Sequence, residues 1–287
     1  LPRIAYVNGR YVQHAEACVH IEDRGYQFAD AVYEVWALFD GRLADLDGHF
    51  RRLARSLSEL DIPQPMTDAA LLGVLKETVR RNHVRDGLLY LQVSRGQVRR
   101  DHVIPDPPPK PAVVVTVKSV DLAQLDAQAR RGAKVITAPD NRWGRCDIKT
   151  VGLLPNVLAK TQARRAGAAE VWFVDADGLV TEGGSTNAWI IDQQGVLRTR
   201  GDEANILRGV TRGRVFDIAA ALQLPVEQRP FTPEEVRSAR EAFFTAASAF
   251  VTPVTAIDGI EIAGGRPGPV ALRLRDLYLE RARSEAV

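Results

Sequence analysis

The chain has 287 residues, 45% hydrophobic and 26% charged, with a net charge of +2, the make-up of an ordinary globular protein with room for two domains. The near-neutral balance excludes a broad electrostatic footprint for nucleic acid, and no apolar run is long enough to span a bilayer. Two cysteines, Cys18 and Cys146, give neither a disulfide framework nor a metal-ligand spacing, so no metal is expected.

The first forty residues read as β. IAYVNGRYV is a hairpin turning at Asn8-Gly9, and AVYEVWALFDGRLADL is a second turning at Asp40-Gly41. Two helices follow. HFRRLARSLSEL places Phe50, Leu53, Leu57 and Leu60 on one face, and TDAALLGVLKETVRR opens with Thr67 as N-cap. GLLYLQVSRG and AVVVTVKSV read as buried strands, and DLAQLDAQARRG as a connector with helical character. In the second half, AKVITA is a strand and Pro155 to Ala166 a helix with proline at its start. EVWFVDADGLVTEG and NAWIIDQQGVLRT are hairpins, TRGRVFDIAAALQL is a helix, and Thr232-Pro233-Glu234-Glu235 opens another. EAFFTAASAFVTPV and DGIEI add strands before a closing helix from about Pro269. The expected fold class is α+β, mostly hairpin-connected, with an N-terminal α/β domain at 1–120, a connector at 121–132 and a C-terminal domain at 133–287. No strand–glycine–helix fingerprint for a dinucleotide occurs.

Of 38 basic residues only six are lysines (Lys76, Lys110, Lys118, Lys134, Lys149 and Lys160). A lysine therefore carries more information here than in an average chain, because arginine neither deprotonates nor forms a Schiff base. Lys149 stands out: Ile148 precedes it and Val151, Leu153 and Leu154 follow. An apolar wall that buries the amine lowers its pKa and makes it a nucleophile. A salt-bridged or snorkelling lysine beside Asp147 is the alternative, and locally it is the commoner arrangement. Downstream, TEGGSTNAW places Glu182 at a strand end, followed by Gly183 and Gly184, which let backbone approach a ligand. In NILRGVTRGRVF, Val210 and Thr211 sit at a helix N-terminus able to take a phosphate, although a plain threonine cap is commoner. TAAS, 245–248, is a small-residue turn with Ser248 as a further hydroxyl. An imine-forming lysine, an acid for a protonated ring nitrogen and a phosphate seat are together what pyridoxal 5'-phosphate requires.

The chain resembles the class IV (fold-type IV) pyridoxal-phosphate-dependent aminotransferases from about Tyr6 to Asp258. The likeness rests on YVNGRYV, DAVYEV, HFRRL, the lysine segment, TEGGSTN, LRGVTR and the TPV turn. The resemblance implies a cofactor in the cleft between two domains, each a β-sheet or barrel-like sheet with packed helices. It makes Lys149 the Schiff-base lysine, on a strand of the second domain, and Glu182 the partner of the pyridine nitrogen. Arg52, in the His49-to-Leu53 pattern, would bind the phosphate with Val210 and Thr211. Ala247 sits where many relatives carry a hydroxyl, and Ser248 is the substitute.

SRGQVRRDHVIP resembles the D-amino-acid aminotransferases of the family, whose substrate-carboxylate trap uses an arginine and a histidine two apart. Arg100 and His102 match it, and Tyr33 matches the tyrosine that completes it. A guanidinium, an imidazole and a phenol suit a carboxylate, and alternate residues of an extended loop share a face. The implied activity moves the amino group of a D-amino acid to a 2-oxo acid, 2-oxoglutarate by resemblance, in a ping-pong reaction of a homodimer, and the two unpatterned cysteines fit a cytoplasmic setting. Branched-chain L-amino-acid and (R)-amine transaminases and aminodeoxychorismate lyase are the alternatives within the family. A cofactor-binding protein without turnover is the alternative outside it. The branched-chain pattern is not seen in this loop, amine transaminases lack the trap in this form, and the lyase stays open. Side-chain selection is expected from Val35 and the loop near Ala246.

Overall fold

The computed structural model describes residues 3–202 and 205–287. The chain divides into two compact units. The first comprises Leu1–Leu122, Ile148–Gly152 and Glu285–Val287, and the second Ala123–Asp147 and Leu153–Ser284.

The first unit opens on the expected hairpin, β1 (Ile4–Val7) and β2 (Arg10–Gln13), then α1 (Arg24–Phe28) and the second hairpin, β3 (Ala31–Phe39) and β4 (Arg42–Leu43). Next come α2 (Leu46–Glu59), α3 (Asp68–Asn82), β5 (Gly87–Ser94) and β6 (Ala112–Ser119). The strands form one six-stranded sheet in the order β2-β1-β6-β5-β3-β4. One sheet face packs on α2 and α3. Val32, Trp36, Leu89, Leu91 and Val115 meet Leu53, Leu57, Leu71 and Leu75 there, and the predicted helix-face residues Phe50 and Leu60 join them. The other face carries Tyr33, Val35, Tyr90, Gln92, Val114 and Thr116, all half-buried. The register pairs Tyr33 with Gln92 and Val35 with Tyr90, so these side chains stand together.

The reading of the first forty residues as β needs correction at α1. Asp23 caps it by accepting from the Gly25 amide at 2.8 Å, and Ala29 closes it in the left-handed region at φ 57°. Five residues are too few to show a periodicity, and the stop residue is not glycine.

The second unit holds α4 (Leu122–Arg131, from the last residue of the first unit), β7 (Ala133–Pro139), α5 (Leu154–Arg165), β8 (Glu170–Val174), β9 (Val180–Gly183), β10 (Asn187–Ile191) and β11 (Leu197–Thr199). It continues with α6 (Val210–Ala221), β12 (Val226–Gln228), α7 (Pro233–Arg237), β13 (Glu241–Ala246), β14 (Phe250–Ile257), β15 (Ile260–Glu261) and α8 (Pro269–Ser284). Its sheet runs β12-β11-β10-β13-β14-β7-β8-β9, with β15 on β14. Hairpin connection is only part of this topology, because β7–β8, β7–β14 and β11–β12 pair in parallel. Parallel neighbours need a long crossover, and α5 and α6 lie in two of those connections. Trp172, Val180, Ile190, Phe231, Phe244 and Val254 form its main core.

Gly96 decides how the segment after β5 leaves the sheet. Its φ is +100°, and a Cβ there would stand 2.1 Å from the carbonyl oxygen of Lys110. Gly96→Ala is expected to cost about 2 kcal/mol or more, since both the dihedral and the contact are forbidden to alanine. Urea denaturation measures it, and an unchanged midpoint would show that the 96–110 contact yields freely.

Candidate active site

Lys149 lies in an irregular segment rather than on the expected strand, and Ile148–Gly152 belongs by its contacts to the first unit. The segment docks on the N-terminal half of β3. Val32 and Thr150 form an isolated bridge, the Tyr33 amide donates to the Lys149 carbonyl (3.0 Å), and the Val151 amide donates to the Ala31 carbonyl (3.1 Å). The Lys149 amide donates to Ser56 Oγ at 3.3 Å. These contacts bring the lysine amine to 4.1 Å from the centre of the Tyr33 ring, on the half-buried sheet face. The apolar wall differs from expectation: Ile148 is buried in the core, but Leu154 is 68% exposed at the start of α5, and the lysine is half-buried. The Asp147 carboxylate is taken by Arg145 at 2.9 Å, and among the described residues no carboxylate pairs with Lys149. The salt-bridged alternative does not occur.

Tyr33 faces Tyr90 with ring centres 5.6 Å apart, and the Tyr90 hydroxyl donates to Gln92 Oε1 at 2.8 Å. Burial pushes the Tyr90 phenol up to about 12, so it stays a hydrogen-bonding hydroxyl at neutral pH. Tyr90 and Gln92 escaped the reading of the sequence. Their signal is the cross-strand register, which appears only once β3 and β5 are paired.

Behind the same strand, Glu34 is fully buried on the helix face. Arg52 forks onto it, Nε to Oε1 and Nη2 to Oε2, each at 2.7 Å, and His49 Nδ1 stands 2.7 Å from Oε2. Burial opposes the charge on Glu34, but Arg52 and His49 outweigh it and hold the carboxyl down at about 2. Burial also lowers His49, against the pull of Glu34. Arg52, expected at a phosphate, is thus anchored on a carboxylate of its own unit.

In the second unit, Glu182 is the penultimate residue of β9, with both oxygens engaged. Oε1 accepts from Arg142 Nη1 at 2.5 Å, and Oε2 accepts from Asn187 Nδ2 and the Leu207 amide, each at 3.1 Å. Burial raises the Glu182 pKa, and the attraction of Arg142 limits the rise. Arg142 is itself held by Asp140 at 2.7 Å. Neither Arg142 nor Asn187 was singled out in the sequence, since each reveals its role only through long-range contacts. Gly183 and Gly184 serve packing within the chain: a Cβ would meet Thr186 Oγ1 at 2.0 Å and Lys160 Cγ at 2.7 Å.

Val210 opens α6 behind the N-cap Gly209, which offers no side-chain cap. Thr211 is 2% exposed, and its Oγ1 has no hydrogen-bond partner among the described residues. A buried hydroxyl without a partner beside first-turn amides is a seat for an anion. Ala247 and Ser248 lie in the β13–β14 turn. Ser248 is exposed, and its hydroxyl makes no hydrogen bond among the described residues.

Arg100 and His102 meet on one ring. The Arg100 guanidinium carbon is 5.0 Å from the centre of Phe28, and the His102 ring centre is 5.3 Å from it. No hydrogen bond or ring contact joins either to Tyr33 among the described residues. The sheet face thus brings Tyr33 to Lys149, and the loop brings Arg100 to His102 on the Phe28 ring.

The Glu34 group makes stability depend on pH. Its folded pKa of about 2 lies below the ordinary 4.5, so its contribution is complete above about pH 4.5 and is lost as pH falls towards 2. Denaturation free energies between pH 5 and 2 are expected to drop by on the order of 3 kcal/mol on its account. Glu34→Gln should lack that portion of the slope, and equal slopes in the two proteins would sink the assignment.

The sequence profile of the family described as amino-transferase class IV matches residues 31–257. The D-alanine aminotransferase of Bacillus licheniformis is 42% identical over 268 residues, 92% of this chain and 91% of that one. The D-alanine aminotransferase of Listeria innocua is 38% identical over 275 residues, 96% and 94% of the two chains. Among solved structures, the T.th. branched-chain amino acid aminotransferase with pyridoxamine 5'-phosphate superposes with a TM-score of 0.89 at 29% identity, covering 99% of this chain and 95% of that one. With the profile spanning most of its length, the chain belongs to the class IV aminotransferases.

Proposed function

We propose that this chain transfers the amino group of a D-amino acid to a 2-oxo acid, with pyridoxal 5'-phosphate as cofactor. The observation that carries the reading is the Lys149 amine, set against the Tyr33 ring with no carboxylate to hold it. The residues fit the cofactor. The orphaned Thr211 hydroxyl and the first turn of α6 would hold its phosphate, with Arg52 as counter-charge, and Ser248 is the further hydroxyl we assign near Ala247. Glu182 would hold the proton on its ring nitrogen, a role suited to a buried carboxylate fixed by Arg142 and Asn187. Lys149 would bond its aldehyde carbon.

When bound, the pyridine ring supplies an electron sink for the pair left on the amino acid's α-carbon. Once the amino acid's own nitrogen has replaced Lys149 at the aldehyde carbon, the freed Lys149 Nζ would remove the α-proton and would return a proton on the opposite stroke, so one amine serves as base and acid. Tyr33, beneath it, limits where that amine can point and donates to the substrate carboxylate. Arg100 and His102 are the other carboxylate donors and set the D preference. A second 2-oxo acid, 2-oxoglutarate in our reading, then takes the amino group in the reverse sequence, which is ping-pong turnover.

We assign the trap to a cytoplasmic homodimer in which Arg100 and His102 reach the site of a second copy. Val103 and Ile104, next to them, are 72% and 49% exposed, and exposed apolar groups beside functional donors suit a subunit contact. Both cysteines are free, and among the described residues no helix is long and apolar enough to cross a membrane.

Lys149→Ala is expected to abolish the visible absorption of the lysine-bound cofactor and to lower kcat by about 10²–10⁴-fold or more. Wild-type holoenzyme should pass to the pyridoxamine form with D-alanine and not with L-leucine. Conversion by L-leucine alone would reverse the assignment of hand.

Arg100→Ala should raise KM for amino acids by about 10- to 100-fold through loss of a charge-assisted pair. Mixing Arg100→Ala with Lys149→Ala subunits should restore activity, because one site of the heterodimer then has both its own lysine and the partner's arginine. No recovery in the mixed dimer would place the trap within one chain.

A further inference from the structure

Phe28 closes α1, the five-residue turn that follows Asp23. Three groups converge on its ring: the guanidinium carbons of Arg24 at 4.8 Å and Arg100 at 5.0 Å, and the His102 ring at 5.3 Å with an interplanar angle of 49°. Arg24 is buried, and its Nη1 donates to the Asp101 carbonyl at 2.6 Å and the Val103 carbonyl at 3.4 Å. Those residues alternate with Arg100 and His102, so the loop backbone is drawn to Arg24 while the two side chains settle on Phe28.

The tie leads into the core. Arg24 Nε donates to Asp30 Oδ2 at 2.7 Å, and the same carboxylate takes the fork of Arg95 at 2.7 and 3.0 Å. Arg95 is buried in turn, and reaches the carbonyls of Leu60 and Asp61 after α2. A chain of partly buried, charge-assisted bonds therefore runs from the end of α2 to the loop at 101–103.

We infer that Phe28 is a positioning residue for substrate carboxylate recognition, its ring fixing the spacing of Arg100 and His102 while Arg24 pins their loop. The inference rests on the reading of Arg100 and His102 as carboxylate donors. Both are exposed, and a free exposed arginine loses rotamer freedom when it closes on a ligand. An aromatic ring that holds the guanidinium in place reduces that loss before substrate arrives. Leucine at 28 keeps the apolar bulk but removes the ring quadrupole, and tyrosine keeps both.

In the holoenzyme, Phe28→Leu is expected to raise KM for D-alanine, and the Kd of a simple 2-oxo acid on the pyridoxal form, by about threefold to tenfold. kcat and cofactor affinity should stay near wild type, and Phe28→Tyr should restore both constants. In an Arg100→Ala background the same change should add much less, because the group it positions is gone. Should Phe28→Leu fail to fold, Arg24→Lys carries the same expectation, since an ammonium cannot span Asp30 and the loop carbonyls as the guanidinium does. A joint fall in kcat and cofactor affinity would make Phe28 merely structural and overturn the inference. Unchanged constants in Phe28→Leu beside a raised KM in Arg100→Ala would overturn the platform and leave the trap standing. If Arg100→Ala leaves KM unaltered, the trap falls and the platform with it.

Discussion

The pleat of β3 is the constraint on which the first unit's chemistry depends. A strand sends successive side chains to opposite faces, and here Glu34 goes to the helices while Tyr33 and Val35 go to the half-buried face. A slip of one residue would send the carboxylate to the open face and the tyrosine into the core. The register with β5, continuous from Ala31–Ser94 to Leu38–Gly87, prevents that slip. The brevity of β4 matters as much. It pairs only with Leu38 and Phe39, which leaves the edge of β3 at Ala31–Tyr33 available to the backbone of 149–151. The lysine is thus placed by strand-edge hydrogen bonds that a longer hairpin would have occupied.

Three buried or half-buried carboxylates in this protein are matched with arginine, while buried Glu170 takes Lys160. Asp30 takes Arg24 and Arg95, Glu34 takes Arg52, and Glu182 takes Arg142. A planar fork can saturate both oxygens of a buried carboxylate, which a point-charge ammonium does less well. Such pairs add little net stability over an apolar filling, but losing one partner is costly, so they hold a geometry in place. With Asp147 also claimed by an arginine, the Lys149 amine has no local carboxylate to neutralise it.

Elements with local signals were legible in the sequence. Asn8-Gly9 and Asp40-Gly41 turn their hairpins, Thr67 caps α3, and Thr232 with Glu235 forms a capping box on α7. Features set by distant residues were not. α1 is too short to carry a period, and the parallel pairings link segments separated by whole helices. The apolar run around Lys149 imitates a strand, yet Ile148 enters the core while Leu154 starts a helix in solvent. Among the residues proposed for the site, Lys149 stood out by its rarity, and Glu182 only in company with that lysine and the helix start at Val210 and Thr211. Arg142, Asn187, Tyr90 and Gln92 were not legible: Arg142 and Asn187 act through partners up to sixty-three and twenty positions away, and Tyr90 and Gln92 come beside Tyr33 only through the pairing of β5 with β3.

Asn187 shows how the second unit couples two features that look independent in the sequence. Its Nδ2 donates to Glu182 Oε2 and to the Leu207 carbonyl, at 3.1 and 2.9 Å. Its Oδ1 lies so close to Gly209 that a Cβ there would stand 2.0 Å away. One amide therefore fixes the acid at the end of β9 and sets the backbone that starts α6, two residues before the unpartnered Thr211 hydroxyl. Leaving a buried hydroxyl unsatisfied costs free energy, typically about 1–3 kcal/mol. A ligand anion that accepts from it recovers that cost only if the helix start is held still, and Asn187 holds it by the same side chain that holds the acid.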